Sequence, residues 1–179
     1  MLKLENTLLL VIDFQTRLME YIHNHEELER TTAAFIKGCR ILDVPIITTQ
    51  QYTKGLGGTS PAIKDALGDF LHVEKITFSC YGNSEFVEKL KFSEKKNIIV
   101  TGIEAHICVQ QTVLDLLASG YDVYAVADCI GSRSKTDYSH AVERMRQAGA
   151  VFTTMESVLF ELLVRADHPK RKEISNLVK

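Results

Sequence analysis

The chain has 179 residues, 45% hydrophobic and 25% charged, with a formal net charge of −2. That length and composition fit one ordinary domain, residues 1–179, large enough to bury a core without a disulfide or metal staple. With no basic stripe and a near-neutral balance, neither nucleic acid nor an anionic membrane is an expected partner.

In chain order, the first apolar run is residues 8–12, ended by Asp13. It is too short for a signal-peptide core or a membrane span, so it is predicted to be a buried strand of a cytoplasmic protein. Residues 28–42 follow as a helix, with Phe35, Ile36, Cys39 and Leu42 at helical spacing. A second strand is expected over 44–49, with Pro45 at its edge. Residues 51–58 are rich in glycine and are predicted as a loop of the kind that lines sites. A short third strand falls at 72–75, and Asn83 caps a helix carrying Phe86, Val87 and Leu90. The fourth strand, 97–101, is nearly all apolar. The helix predicted over 106–119 is closed by Gly120. A fifth strand at 121–127, a helix at 137–147 closed by Gly149, a sixth strand at 150–153 and helices at 157–164 and 170–178 complete the chain.

Strands that alternate with helices, and whose residues are almost continuously apolar, imply βαβ units around a parallel sheet covered on both faces. The expected fold is therefore a three-layer α/β/α domain with a six-stranded, mostly parallel sheet and the first strand central. Cys39, Cys80, Cys108 and Cys129 lie far apart with no CxxC spacing, and are expected to be unpaired thiols.

Ligands of such sheets bind beyond the carboxyl ends of the strands. Asp13 ends the first strand, Gln50, Gln51 and Tyr52 follow the second, Lys75 ends the third, and Cys108 lies just past the fourth. Cys108 falls in the first turn of the predicted helix, where the helix dipole and a nearby ammonium from Lys75 would lower a thiol's pKa. Asp13 is placed to accept a proton, and backbone N–H groups around Glu104 and Cys108 to hold an oxyanion. No glycine-rich phosphate loop follows the first strand, which reads Asp13-Phe14-Gln15; a flavodoxin-like nucleotide binder is therefore disfavoured.

The segments LLLVIDFQ, VEKITFS and VTGIEAHICVQQTVLDLLASGYDVYAVADC resemble the isochorismatase-like hydrolase superfamily, the G-I-E-x-x-x-C stretch most specifically. TTQQYTKGLGGT, SRSKTDYSHAVERMRQAGA and the C-terminal VRADHPKRKEISNLVK are similar to the isochorismatase-domain-containing subgroup. The resemblance implies a catalytic triad of Asp13, Lys75 and Cys108 and a non-proline cis peptide at Ile103–Glu104 that aims N–H groups at the oxyanion. It implies hydrolysis of a small amide- or imide-type C–N bond through an acyl-enzyme. Gln15, Gln51, Tyr52, Phe78 and Ile103 are expected to line a small, mixed pocket, while the substrate itself is beyond the sequence. The vinyl-ether-cleaving branch lacks the cysteine, so Cys108 points away from it. Nicotinamidases carry metal-binding histidine and aspartate after the second strand; here Gln50-Gln51-Tyr52-Thr53 stand there, so no metal or other cofactor is expected. His23, His25, His140 and His168 are taken as surface residues, and His106 as facing outward or into a subunit contact. The apolar helices after strands four and five, with the family's habit of oligomerising, suggest a homo-oligomer with contacts near the site rim. The rival reading is a non-catalytic scaffold or partner-binding member of the same fold.

Overall fold

The computed structural model describes residues 1–179. Six strands form one sheet: β1 (Thr7–Ile12), β2 (Ile46–Gln51), β3 (His72–Lys75), β4 (Asn97–Ile103), β5 (Asp122–Gly131) and β6 (Val151–Thr153). They lie in the order β3-β2-β1-β4-β5-β6. Every pairing is parallel, so the sheet is wholly parallel, and β1 is central between β2 and β4.

The apolar runs explain that order. Every residue of β1 and β4 is buried. Successive side chains point to opposite faces. Leu9 and Val11 join one core and Leu8, Leu10 and Ile12 the other. The first core is closed by α2 (His25–Ile41), α4 (Pro61–Leu67), α8 (Met155–Leu163) and α9 (Arg171–Leu177). The second is closed by α5 (Ser84–Phe92), α6 (Gln110–Ala118) and α7 (Lys135–Gln147). A strand so placed is fixed in register, because a one-residue slip would exchange its two faces.

Several boundaries depart from the sequence-based reading. β2 begins after Pro45, which has no N–H for the ladder. α2 starts at His25, so that histidine opens the helix rather than preceding it. Two single-turn helices, α1 (Thr16–Met19) and α3 (Thr53–Leu56), and the helix α4 occupy stretches without a predicted helix. α4 opens on Ser60 and Pro61, with proline in the first turn where its missing N–H costs nothing. α3 interrupts the predicted loop because the Glu74 carboxylate, reaching over from β3, accepts from Thr53 N at 2.8 Å. β5 continues past Ala127 because its register against β4 shifts, from Val100↔Ala125 to Gly102↔Ile130. The predicted helix from His106 begins as a π-helical turn, Ala105–Val109, before α6.

Gly102 sets the approach of β4 to β1. Its φ is +152°, and a Cβ there would stand 2.5 Å from Ile12 Cβ and 2.7 Å from the Ile12 carbonyl oxygen. Only glycine fits, and the chain turns directly from it into the cis peptide Ile103–Glu104.

Candidate active site

Asp13 follows β1 with φ 53°, in the left-handed region, which turns its side chain beneath the sheet's carboxyl edge. One carboxylate oxygen, Oδ1, accepts from Thr49 Oγ1 at 2.7 Å. The other, Oδ2, lies 2.6 Å from Lys75 Nζ, with both side chains shut off from solvent. The ammonium also donates to the Thr77 and Phe78 carbonyls at 3.2 and 3.1 Å. Burial, the largest influence, pulls the lysine toward its neutral form, but Asp13 together with Cys80 and Cys108 outweighs it and the net shift is upward. Lys75 is therefore a buried, fully partnered cation.

Cys108 sits in the π-helical turn and is buried. Its thiol donates to Gln51 Oε1 at 3.2 Å, and the Asp13 carboxylate is near enough for its charge to raise the thiol's pKa. Thr112 Oγ1 donates to the Cys108 carbonyl at 2.7 Å and accepts from Cys80 N at 2.9 Å. The expected lowered thiol pKa is not what this geometry gives. Burial first, and the Asp13 charge second, push the thiol well up, and Lys75 offsets only part of this. At rest Cys108 is a neutral thiol beside a carboxylate, so it must lose its proton locally before it can attack. Cys80, 3.8 Å from Thr49 Oγ1, is likewise pushed up to about 11 by burial.

Cys108 opens into a cavity of about 200 Å³. Its walls are Leu18, Leu56, Phe78 and Ile107; Gln51, Glu104 and Arg133 supply the polar groups. Arg133 holds Glu104 in a two-point clasp, Nε to Oε2 at 2.9 Å and an Nη to Oε1 at 2.6 Å. Glu104 is 5% exposed and Arg133 53%. The guanidinium keeps the Glu104 carboxyl below its ordinary range. A somewhat larger cavity, about 250 Å³ beside His23, Asp128 and Tyr138, has no cysteine in its lining.

The structure thus brings Asp13, Lys75 and Cys108 together, with Gln51 and Phe78 on the cavity wall. Gln15 is fully buried, and its amide is spent on backbone: Nε2 donates to the Gln51 and Gly57 carbonyls, and Oε1 accepts from Gln51 N. Tyr52 stands 52% exposed, outside the cavity lining. Ile103 is buried in the core under α2 and α8. His106 does not face outward: it is half-buried, with Nδ1 3.0 Å from Ser132 Oγ. Leu18, Leu56, Ile107 and Arg133 were not anticipated. The first two reach the site only because α1 and α3 fold over it. Arg133 arrives through the prolonged β5, for which the alternation ending near Asp128 gave no signal. All four cysteines are free thiols. No helix is long and apolar enough to cross a membrane.

A family model described as the isochorismatase domain matches residues 7–157. Isochorismatase domain-containing protein 1 from Salmo salar is 36% identical over 173 residues, 97% of this chain and 61% of that protein. The chain thus spans less than two thirds of that relative's length. Among solved structures, the MAR1 ribonuclease from Caenorhabditis elegans is 39% identical with a TM-score of 0.92, covering 99% of this chain and 91% of that one. The YcaC gene product from Escherichia coli, an octameric hydrolase of unknown specificity, is 25% identical with a TM-score of 0.88, covering 98% and 86%.

Proposed function

This chain belongs to the isochorismatase domain family, and we propose that it is a cysteine hydrolase of a small amide- or imide-type C–N bond. The observation that carries the reading is a buried thiol at the cavity wall, near a carboxylate that a buried ammonium holds at 2.6 Å. Asp13 takes the Cys108 proton as Sγ attacks the acyl carbon, and N–H groups beside Ile103–Glu104 and in the following turn receive the oxyanion. The tetrahedral intermediate collapses with the proton passed from Asp13 to the leaving nitrogen. Water then attacks the thioester, Asp13 takes its proton, and Sγ leaves to be reprotonated. Lys75 holds the Asp13 carboxylate in place, a task its three partners suit.

The cavity supports a small uncharged substrate. Its lining charges, Glu104 and Arg133, are paired with each other, the nearby Asp13 and Lys75 likewise, and four walls are apolar. The relative named a ribonuclease raises phosphodiester cleavage as a second reading. A cavity of about 200 Å³ and a net charge of −2 favour the small amide over a polyanion. An oligomer, by analogy with the octameric hydrolase, and a cytoplasmic setting that keeps four thiols reduced belong to the same reading. The test is a hydrolysis screen of small amides with ammonia or amine detection, beside a single-stranded RNA substrate and the Cys108→Ala variant. Amide turnover lost in Cys108→Ala supports the reading. RNA cleavage that survives Cys108→Ala, with no amide turnover, contradicts it, and inertness toward every substrate favours a scaffold role.

A further inference from the structure

Gln51 is held so that one atom faces the reaction. Its backbone N–H donates to Gln15 Oε1 at 2.7 Å, and its carbonyl accepts from Gln15 Nε2 at 3.0 Å. Gln15 is itself fully buried and tied to the Gly57 carbonyl, so the backbone of Gln51 is clamped on both sides. At the other end of the side chain, Nε2 donates to the Ile76 carbonyl at 3.3 Å. A carbonyl can only accept, so the nitrogen must face Ile76 and Oε1 must face Cys108. The oxygen accepts the thiol's hydrogen bond at 3.2 Å.

That hydrogen bond disappears when the reaction begins. Once Sγ has bonded to the acyl carbon and Asp13 has the proton, Oε1 has no donor. It lies one hydrogen-bond length from Sγ, where an atom attached to the acyl carbon comes within reach. We propose that Gln51 is a specificity-determining residue that selects substrates whose leaving group carries an N–H, primary amides above all, and discriminates against esters. The assignment rests on the amidohydrolase reading and deepens it. With an amide, the leaving nitrogen's N–H replaces the thiol as donor to Oε1, and the nitrogen accepts the proton from Asp13. The Sγ–C bond forms, the C–N bond breaks, and ammonia departs. With an ester, the leaving oxygen meets Oε1 as acceptor against acceptor. Both are then unpaired in a cavity walled by Leu18, Leu56, Phe78 and Ile107.

The test measures kcat/KM for small primary amides and their methyl esters, benzamide with methyl benzoate and isobutyramide with methyl isobutyrate, in the full chain and in Gln51→Met. Methionine keeps the length and removes the acceptor. The amide-to-ester ratio should fall roughly tenfold or more, as loss of one hydrogen bond allows. Gln51→Asn, which withdraws the acceptor by one methylene, should shift the ratio the same way and decides the matter if Gln51→Met does not fold. Cys108-dependent amide hydrolysis with a ratio that neither variant changes overturns the assignment and leaves the amidohydrolase reading standing. Cys108-dependent turnover of the esters alone, with no amide hydrolysed by the wild-type chain, contradicts both.

Discussion

Lys75 Nζ lies 2.6 Å from Asp13 Oδ2, and neither side chain is open to solvent. Two opposite charges so deep in the molecule are tolerable only together. Removing one partner strands the other, at a cost of about 3–5 kcal/mol. Asp13→Asn should therefore lose stability of that order in urea denaturation as well as ~10²–10⁴-fold in turnover, since it removes the base and unpairs the lysine. Lys75→Met should destabilise similarly. The double variant should be less destabilised than the sum of the two. Strictly additive losses would show that the two charges do not depend on each other.

Alkaline pH should weaken the fold early. Burial raises the thiols of Cys39, Cys80, Cys108 and Cys129 above their ordinary value of 9.0. In the unfolded chain these thiols ionise near pH 9, while in the folded chain they keep their protons. The folded state then binds more protons, and stability must fall as pH rises through that range. Lys75, also raised, adds its own loss above 10.5. Each thiol contributes a slope of up to about 1.4 kcal/mol per pH unit. Melting temperature followed upward from about pH 8 should decline, and Cys39→Ala should make the decline shallower. A flat profile to pH 10 would contradict the burial of these thiols.

Gly102→Ala tests the close approach of β4 to β1. The added Cβ meets Ile12 at 2.5 and 2.7 Å, partly against backbone that cannot step aside. The expected loss is on the order of 1–3 kcal/mol, with impaired turnover, because the segment carrying Glu104 and Cys108 starts there. Unchanged stability would mean that the two strands lie farther apart.

Arg133→Met unpairs a Glu104 carboxylate that is only 5% exposed. Arg133 holds that carboxyl below its ordinary 4.5, so its contribution is present above that value and is lost as pH falls through the lowered one. The variant should be less stable than the wild type at neutral pH, and the gap should close in acid. With Arg133 half-exposed, solvent screening limits the effect to roughly 1 kcal/mol. A stability difference independent of pH would point to lost packing instead.

The layers of the fold and the place of its chemistry were legible in the residues because they depend on local pattern. β1 and β4 are apolar on both faces, and Asp13, Lys75 and Cys108 fall where parallel strands end. What was not legible depends on contacts distant in sequence. α1 and α3 are four residues each, too short to hold themselves, and are secured by Arg17 on the Gly55 carbonyl and Glu74 on Thr53. The π-helical turn at Cys108 has the same apolar spacing as the helix it begins, so the pattern could not separate them. The raised thiol of Cys108 comes from its surroundings, which outweigh the helix-end effect that sequence position alone suggests.

Whether Cys108 carries the acyl group is tested by rapid-quench peptide mapping by mass spectrometry during turnover of whichever amide the screen identifies. An acyl adduct is expected on the peptide containing Cys108, formed and discharged at rates consistent with kcat, and absent from Cys108→Ala. Sustained turnover by Cys108→Ala, with no adduct on Cys108 in the wild-type chain, would contradict that role.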